Sequence, residues 1–142
     1  MTEYDRIARR ALDEARAGRP DESLTLLERL HGVDPKPVLF WYALSHARLR
    51  KGEHELAYNC LSAFQAKLHS KHMELIGLTR PGAIDPRLLI EINGPLEIVN
   101  LRQEANAYRA RNDFAQASEC MGKVVVWRID KLKELGVDIF AQ

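Results

Sequence analysis

The stretch Trp41–Lys71, WYALSHARLRKGEHELAYNCLSAFQAKLHSK, decides the fold. It reads as two amphipathic helices joined at Lys51-Gly52. In the first, Trp41, Leu44 and Ser45 share a stripe that Leu49 extends. In the second, Leu56, Ala57, Cys60, Leu61 and Phe64 recur at the i, i+3, i+4 spacing of a buried helical face. Gly52 stands where the first helix must stop, a place that favours a left-handed residue. Such a hairpin leaves its apolar face uncovered and requires neighbours.

The preceding residues supply one. Residues 4–17 set Ile7, Ala11, Leu12 and Ala15 on one stripe, and Gly18 ends that helix. Pro20 sits in or before the first turn of a second helix over about 21–32, which carries Leu24, Leu27 and Leu30. It closes at Gly32, and Asp34-Pro35-Lys36-Pro37 forbids continuation. Gly18 and Gly52 are 34 residues apart, and the same offset pairs Ala11 with Ser45, Ser23 with Ala57, Leu27 with Leu61 and Leu30 with Phe64. A third copy follows at an offset of 60 from the second, one 34-residue period plus 26 inserted residues. There Ala105 answers Ser45, Asn112 answers Gly52, Ala117 answers Ala57 and Met121 answers Leu61.

A helix–turn–helix period of this length resembles the tetratricopeptide repeat. The large residue early in the family's first helix is met by Ile7, Trp41 and Leu101. The small residue that lets the paired helices approach is met by Ala11, Ser45 and Ala105. Gly18 and Gly52 supply the turn glycine, with Asn112 as the next-best left-handed residue. The small residue of the second helix is Ser23, Ala57 and Ala117. The family's tyrosine is met only by Tyr108, with Glu14 and Arg48 departing. Leu30, Phe64 and Val124 replace its usual alanine. The resemblance implies an all-α fold, a right-handed superhelix of helical hairpins with a C-terminal capping helix. It makes one domain of residues 1–142: repeats over about 4–37, 38–71 and 98–131, an insertion over about 72–97 and a tail at 136–142.

Within the insertion, Met73 and Ile76 continue the apolar spacing, so the second helix of repeat two is expected to overrun and end near Leu78. Arg80-Pro81-Gly82 then breaks the chain, Asp85 caps a short helical turn at Pro86, and Asn93-Gly94-Pro95 launches the next helix. The last helix, about 113–135, turns Phe114, Ala117, Met121, Val124 and Val125 toward the preceding repeat. Val126, Trp127 and Ile129 lie off that face, a candidate oligomer interface on a helix whose outer side is normally polar.

Catalytic chemistry is not expected. The glycines form no phosphate cradle, and GxSxG and HExxH are both missing. Cys60 and Cys120 fall at equivalent repeat positions and read as small buried residues. His69 and His72, one turn apart near Glu74, read as a pair on a solvated face with too few ligands for a metal. No metal and no cofactor is expected. The resemblance implies a partner-binding groove lined by Arg16, Tyr42, His46, Leu49, Arg50, Arg102, Asn106 and Arg109. That groove is basic although the chain, with 21 basic and 20 acidic side chains, has a net charge of +1. Arginines there suit carboxylates. The Lys and Asn that grip a C-terminal carboxylate in one branch of the family are replaced by Ala8 and Leu12. Arg102 and Asn106 echo that pair in repeat three only.

The expected function is a non-enzymatic interaction module, adaptor or chaperone-like, holding a peptide segment of a protein partner in the groove. The alternative is a self-assembling structural protein, a homodimer built on the last helix. Near-neutral charge disfavours a nucleic-acid partner. The lack of a long apolar run disfavours a membrane partner. Two cysteines and an N-terminus with acids and no apolar run suggest the cytoplasm. Asp138, Ile139 and Phe140 put an acid and two apolar residues on the tail, a candidate occupant of the chain's own groove.

Overall fold

The computed structural model describes residues 2–78 and 85–141. Seven helices and no strand occur among them. The chain divides into two compact units, Met1–Leu61 with Asp138–Gln142, and Ser62–Val137.

In the first unit, α1 (Glu3–Arg16), α2 (Pro20–Glu28) and α3 (Phe40–Arg50) pack pairwise, followed by the start of α4 (His54–Ile76). Helix α1 begins with a reciprocal cap. The Asp5 backbone N–H donates to the Thr2 hydroxyl at 3.1 Å, while the Thr2 N–H donates to the Asp5 carboxylate at 3.0 Å. The Thr2 N–H, and then the Thr2 hydroxyl donating to the same carboxylate at 2.8 Å, hold the Asp5 carboxyl below its usual range. Ala8, Ala11, Leu12 and Ala15 are fully buried on one face. Three alanines there leave little side-chain bulk between α1 and its neighbours. Helix α2 stops at Glu28, four residues before Gly32. The chain continues from there in tighter turns, Arg29 to Leu26, Leu30 to Leu27 and His31 to Glu28, and the Lys36 ammonium donates to the Leu30 and His31 carbonyls, both at 2.8 Å, and to Val33 at 3.0 Å. A cation thus satisfies carbonyls just past the negative end of the helix.

The predicted stripe of α3 is displaced. Tyr42, Ala43 and Ala47 are buried with Ser45, whereas Trp41 and Leu44 are only half-buried. Leu56 departs as well, standing 49% exposed.

The second unit holds the remainder of α4 with α5 (Pro86–Asn93), α6 (Leu96–Ala110) and α7 (Phe114–Glu134). Helix α4 overruns as expected and ends two residues short of Leu78, where Gly77 takes φ 84°. The expected break at Arg80-Pro81-Gly82 lies outside the described residues. Asp85 caps α5, accepting the Arg87 N–H at 2.9 Å, and Pro95 caps α6. Gly94 is required twice. Its φ is 81°, and a Cβ there would stand 2.8 Å from the Trp127 indole. Helices α6 and α7 form a hairpin whose buried side includes Ala105, Ala117, Met121, Val124 and Val125.

The positions matched at offsets of 34 and 60 behave alike. Ala11, Ser45 and Ala105 are all fully buried, as are Ser23, Ala57 and Ala117, and Leu30, Phe64 and Val124. Each hairpin turn carries a left-handed residue, with φ 84° at Gly18, 74° at Gly52 and 59° at Asn112. The following N–H bonds back to the same place each time, Arg19 to Glu14, Glu53 to Arg48 and Asp113 to Tyr108, at 2.9–3.0 Å. The same closure ends α4 and α7. It therefore marks helix ends in general.

Candidate partner-binding face

Four of the predicted groove residues of the first unit form one cluster. The Arg16 guanidinium carbon lies 5.5 Å from the centre of the Tyr42 ring. The His46 ring meets Tyr42 edge-on at 4.6 Å. The Arg50 guanidinium donates to the Arg16 carbonyl at 3.1 Å, which ties α3 to the last turn of α1. Arg50 is thus engaged by the fold, while its charge still acts on its neighbours. Burial first, then Arg16 and Arg50, push His46 down to about 4, so it is neutral at physiological pH. Leu49, the fifth predicted residue, is half-buried.

The face is occupied by the chain itself. Ile139 is 3% exposed. The Phe140 ring has Arg16 at 5.6 Å, Arg9 at 6.0 Å and the Tyr42 ring at 6.3 Å. The Arg9 guanidinium also donates to the Phe140 carbonyl. Tyr42, expected as an open groove residue, is therefore buried, at 6% exposure. Arg9 was missed by the sequence reading. It stands seven residues before Arg16, two helical turns along the same face, and that spacing was the available signal.

Arg102, Asn106 and Arg109 belong to α6, in the second unit. Arg102 is half-buried; Asn106 and Arg109 are exposed.

The second unit also holds a group that the sequence reading passed over. Arg128 is fully buried. Its Nη1 donates to the Ile92 carbonyl and lies 2.9 Å from His72 Nδ1, its Nε lies 3.4 Å from Gln65 Oε1, and its guanidinium carbon lies 4.9 Å from the Trp127 ring. Because an arginine only donates, His72 Nδ1 accepts and the imidazole proton rides on Nε2. Among the described residues, His72 Nε2 and Arg128 Nη2 have no hydrogen-bond partner. His72 is fully buried rather than solvated as expected, because this contact draws it inward. Burial, then Arg128 and Lys131, lower its pKa. Burial, then Arg102, lower that of Arg128 to about 10, which leaves it charged at neutral pH.

The candidate oligomer interface narrows in the same way. Ile129 is 9% exposed and Trp127 is half-buried against Gly94, so of the three Val126, at 51%, is the most open. Cys60 and Cys120 are free thiols, half-buried and buried respectively, and burial raises the pKa of both. Among the described residues no cluster of three or more His, Cys, Asp or Glu could hold a metal ion. Nor, among the described residues, is any helix long and apolar enough to cross a membrane. Comparison with protein-family models, curated proteins and solved structures finds no match for this chain.

Proposed function

We propose that the chain is a non-enzymatic protein–protein interaction module of the tetratricopeptide type, adaptor or chaperone-like, holding a peptide segment of a partner on the basic, aromatic face of its first unit. One observation carries this reading: a short stretch of polypeptide, Ile139-Phe140, is already held there by Arg9, Arg16 and Tyr42. A surface that accepts a backbone carbonyl and an aromatic ring together recognises polypeptide. The matched burial of repeat-equivalent positions supports the family assignment.

A second reading, self-assembly, is favoured by the second unit's surface. Val126, Ile90 and Leu96 are 51%, 70% and 74% exposed, and a cavity of about 320 Å³ is lined by Ile90, Trp127 and Leu135.

The test is selection of a displayed random peptide library on the intact chain, with light scattering in parallel. The module reading expects binders whose affinity falls at least about ten-fold, or 1.4 kcal/mol, in Arg16→Glu. A library that yields no binders, or binders indifferent to Arg16→Glu, sinks it. A dimer that Val126→Glu turns into a folded monomer would favour the second reading.

A further inference from the structure

The occupant of the first-unit face has a chemistry that can be read directly. Asp138 accepts the Phe140 N–H on its carboxylate at 3.0 Å, and its carbonyl accepts the Ala141 N–H at 3.2 Å. The acid thereby folds its own segment into one turn, in the manner of an Asx turn. That turn presents the Phe140 ring to Arg9 and Arg16 and the Phe140 carbonyl to Arg9. Ile139, at 3% exposure, supplies the apolar contact. Three consecutive residues thus share the docking: an acid that shapes the turn, an aliphatic residue that is buried, and an aromatic that lies among the Arg9 and Arg16 guanidinium groups and the Tyr42 ring. Both partners of the ring contact are suited to it, since an arginine is drawn to the negative face of an aromatic ring.

We propose that the partner segment taken by this face has the same pattern, acid–aliphatic–aromatic, and that the chain's own Asp138-Ile139-Phe140 competes with it. The inference rests on the module reading and adds the identity of the ligand. Recognition runs through the ring and the carbonyl next to it, so an acidic peptide without an aromatic residue is a poor ligand. The competition follows from tethering. A short tether holds its segment at an effective concentration of about 1 mM, which masks a face of about 10 μM affinity by about a hundred-fold.

The probe is a fluorescein-labelled peptide Val-Asp-Ile-Phe-Ala-Gln, titrated by anisotropy against the intact 142-residue chain and its Phe140→Ala variant. The variant keeps Ile139 and loses only a half-buried ring. It should bind the probe at least about ten-fold more tightly than the intact chain, since the tethered competitor is weakened. A probe with Ala in place of Phe should not bind, and adding Arg16→Glu to the variant should abolish binding. Should Phe140→Ala lower helical content, Asp138→Ala undoes the turn with Ile139 and Phe140 in place and serves for the same comparison. Equal affinity for the intact and the unlatched chain overturns the proposal, as does equal binding of the Ala probe. A mass that rises with concentration in the intact chain and not in Phe140→Ala would give the segment to a second copy, and also overturns it. Library binders that lack an aromatic residue would leave the module reading standing while this inference falls.

Discussion

Arg16 and Arg128 carry the same guanidinium into opposite surroundings. Arg16 is exposed on the first unit and touches two rings, Tyr42 at 5.5 Å and Phe140 at 5.6 Å. Arg128 is sealed in the second unit, where it meets a carbonyl, an imidazole nitrogen and an amide oxygen. Among the described residues no carboxylate forms an ion pair with either. The difference lies in reversibility. Ring contacts at an exposed arginine are worth about 0.5–1 kcal/mol each and can be exchanged for those of another ligand. A buried guanidinium has lost its hydration, a cost of several kcal/mol that only fixed partners can offset. One arginine is therefore suited to binding, and the other organises the fold.

The largest expected effect tests that division directly. Arg128→Ala removes a large side chain from a buried site and leaves the Ile92 carbonyl, His72 Nδ1 and Gln65 Oε1 without their donor. Cavity and orphaned acceptors together should cost about 3–5 kcal/mol in urea unfolding, whereas Arg16→Ala, which loses two exposed ring contacts, should cost at most about 1–2 kcal/mol. Arg128→Met, which fills the volume and removes the buried charge, should lose less than Arg128→Ala. If Arg128→Ala loses under about 1 kcal/mol, the guanidinium is not an organiser and the contrast collapses.

A smaller effect comes from pH. His72 and His46 both titrate below the ordinary 6.5, His72 through burial and then Arg128, His46 at about 4 through burial and then Arg16 and Arg50. Below pH 6.5 the unfolded chain therefore binds protons that the folded chain does not. Stability is fully present above pH 6.5 and falls as the pH drops toward 5, before the carboxylates take over. Each histidine contributes a slope of at most about 1.4 kcal/mol per pH unit. His72→Gln offers an acceptor to Arg128 without a titrating group, so its unfolding free energy should fall less over that window. An unchanged slope in His72→Gln would mean that His72 is accessible to protons in the folded state.

The burial of the matched positions was legible from their residue types. Ala11, Ser45 and Ala105 are small, and all three are fully buried. The turns were legible for the same kind of reason, since few residues tolerate a positive φ. Arg128 escaped notice because its charge hid its register. Met121, Val125, Arg128 and Leu132 run down one face of α7, and all four are buried. Reading the face by spacing alone would have placed Arg128 inside and required partners for it. Tyr42 and Leu56 were misread for another reason. Their exposure depends on what packs over them, and helical periodicity carries no information on a segment that returns from 98 residues further along, as Phe140 does to Tyr42. Of the residues expected to line the groove, Arg16, Tyr42, His46 and Arg50 lie together in the first unit. Its occupant was foreseen only as a charge and an apolar pair on the tail.

The smallest expected effect asks whether Arg16 acts on the tail without acting on the fold. Phe140 and Ala141 each donate an N–H inside the tail's own turn, to Asp138. Those amides exchange with solvent when the turn leaves its seat, so their hydrogen exchange reports docking locally. Removing one cation–ring contact in Arg16→Ala should speed exchange at Phe140 and Ala141 about two- to five-fold, the equivalent of about 0.5–1 kcal/mol. The Leu12 and Ala15 amides, within α1, should exchange as before. A change spread evenly over the first unit would mean that Arg16 holds α1 rather than the tail. Silence at both places would mean that Arg9 and the burial of Ile139 hold the segment alone, and the aromatic preference assigned to this face would then rest on Arg9.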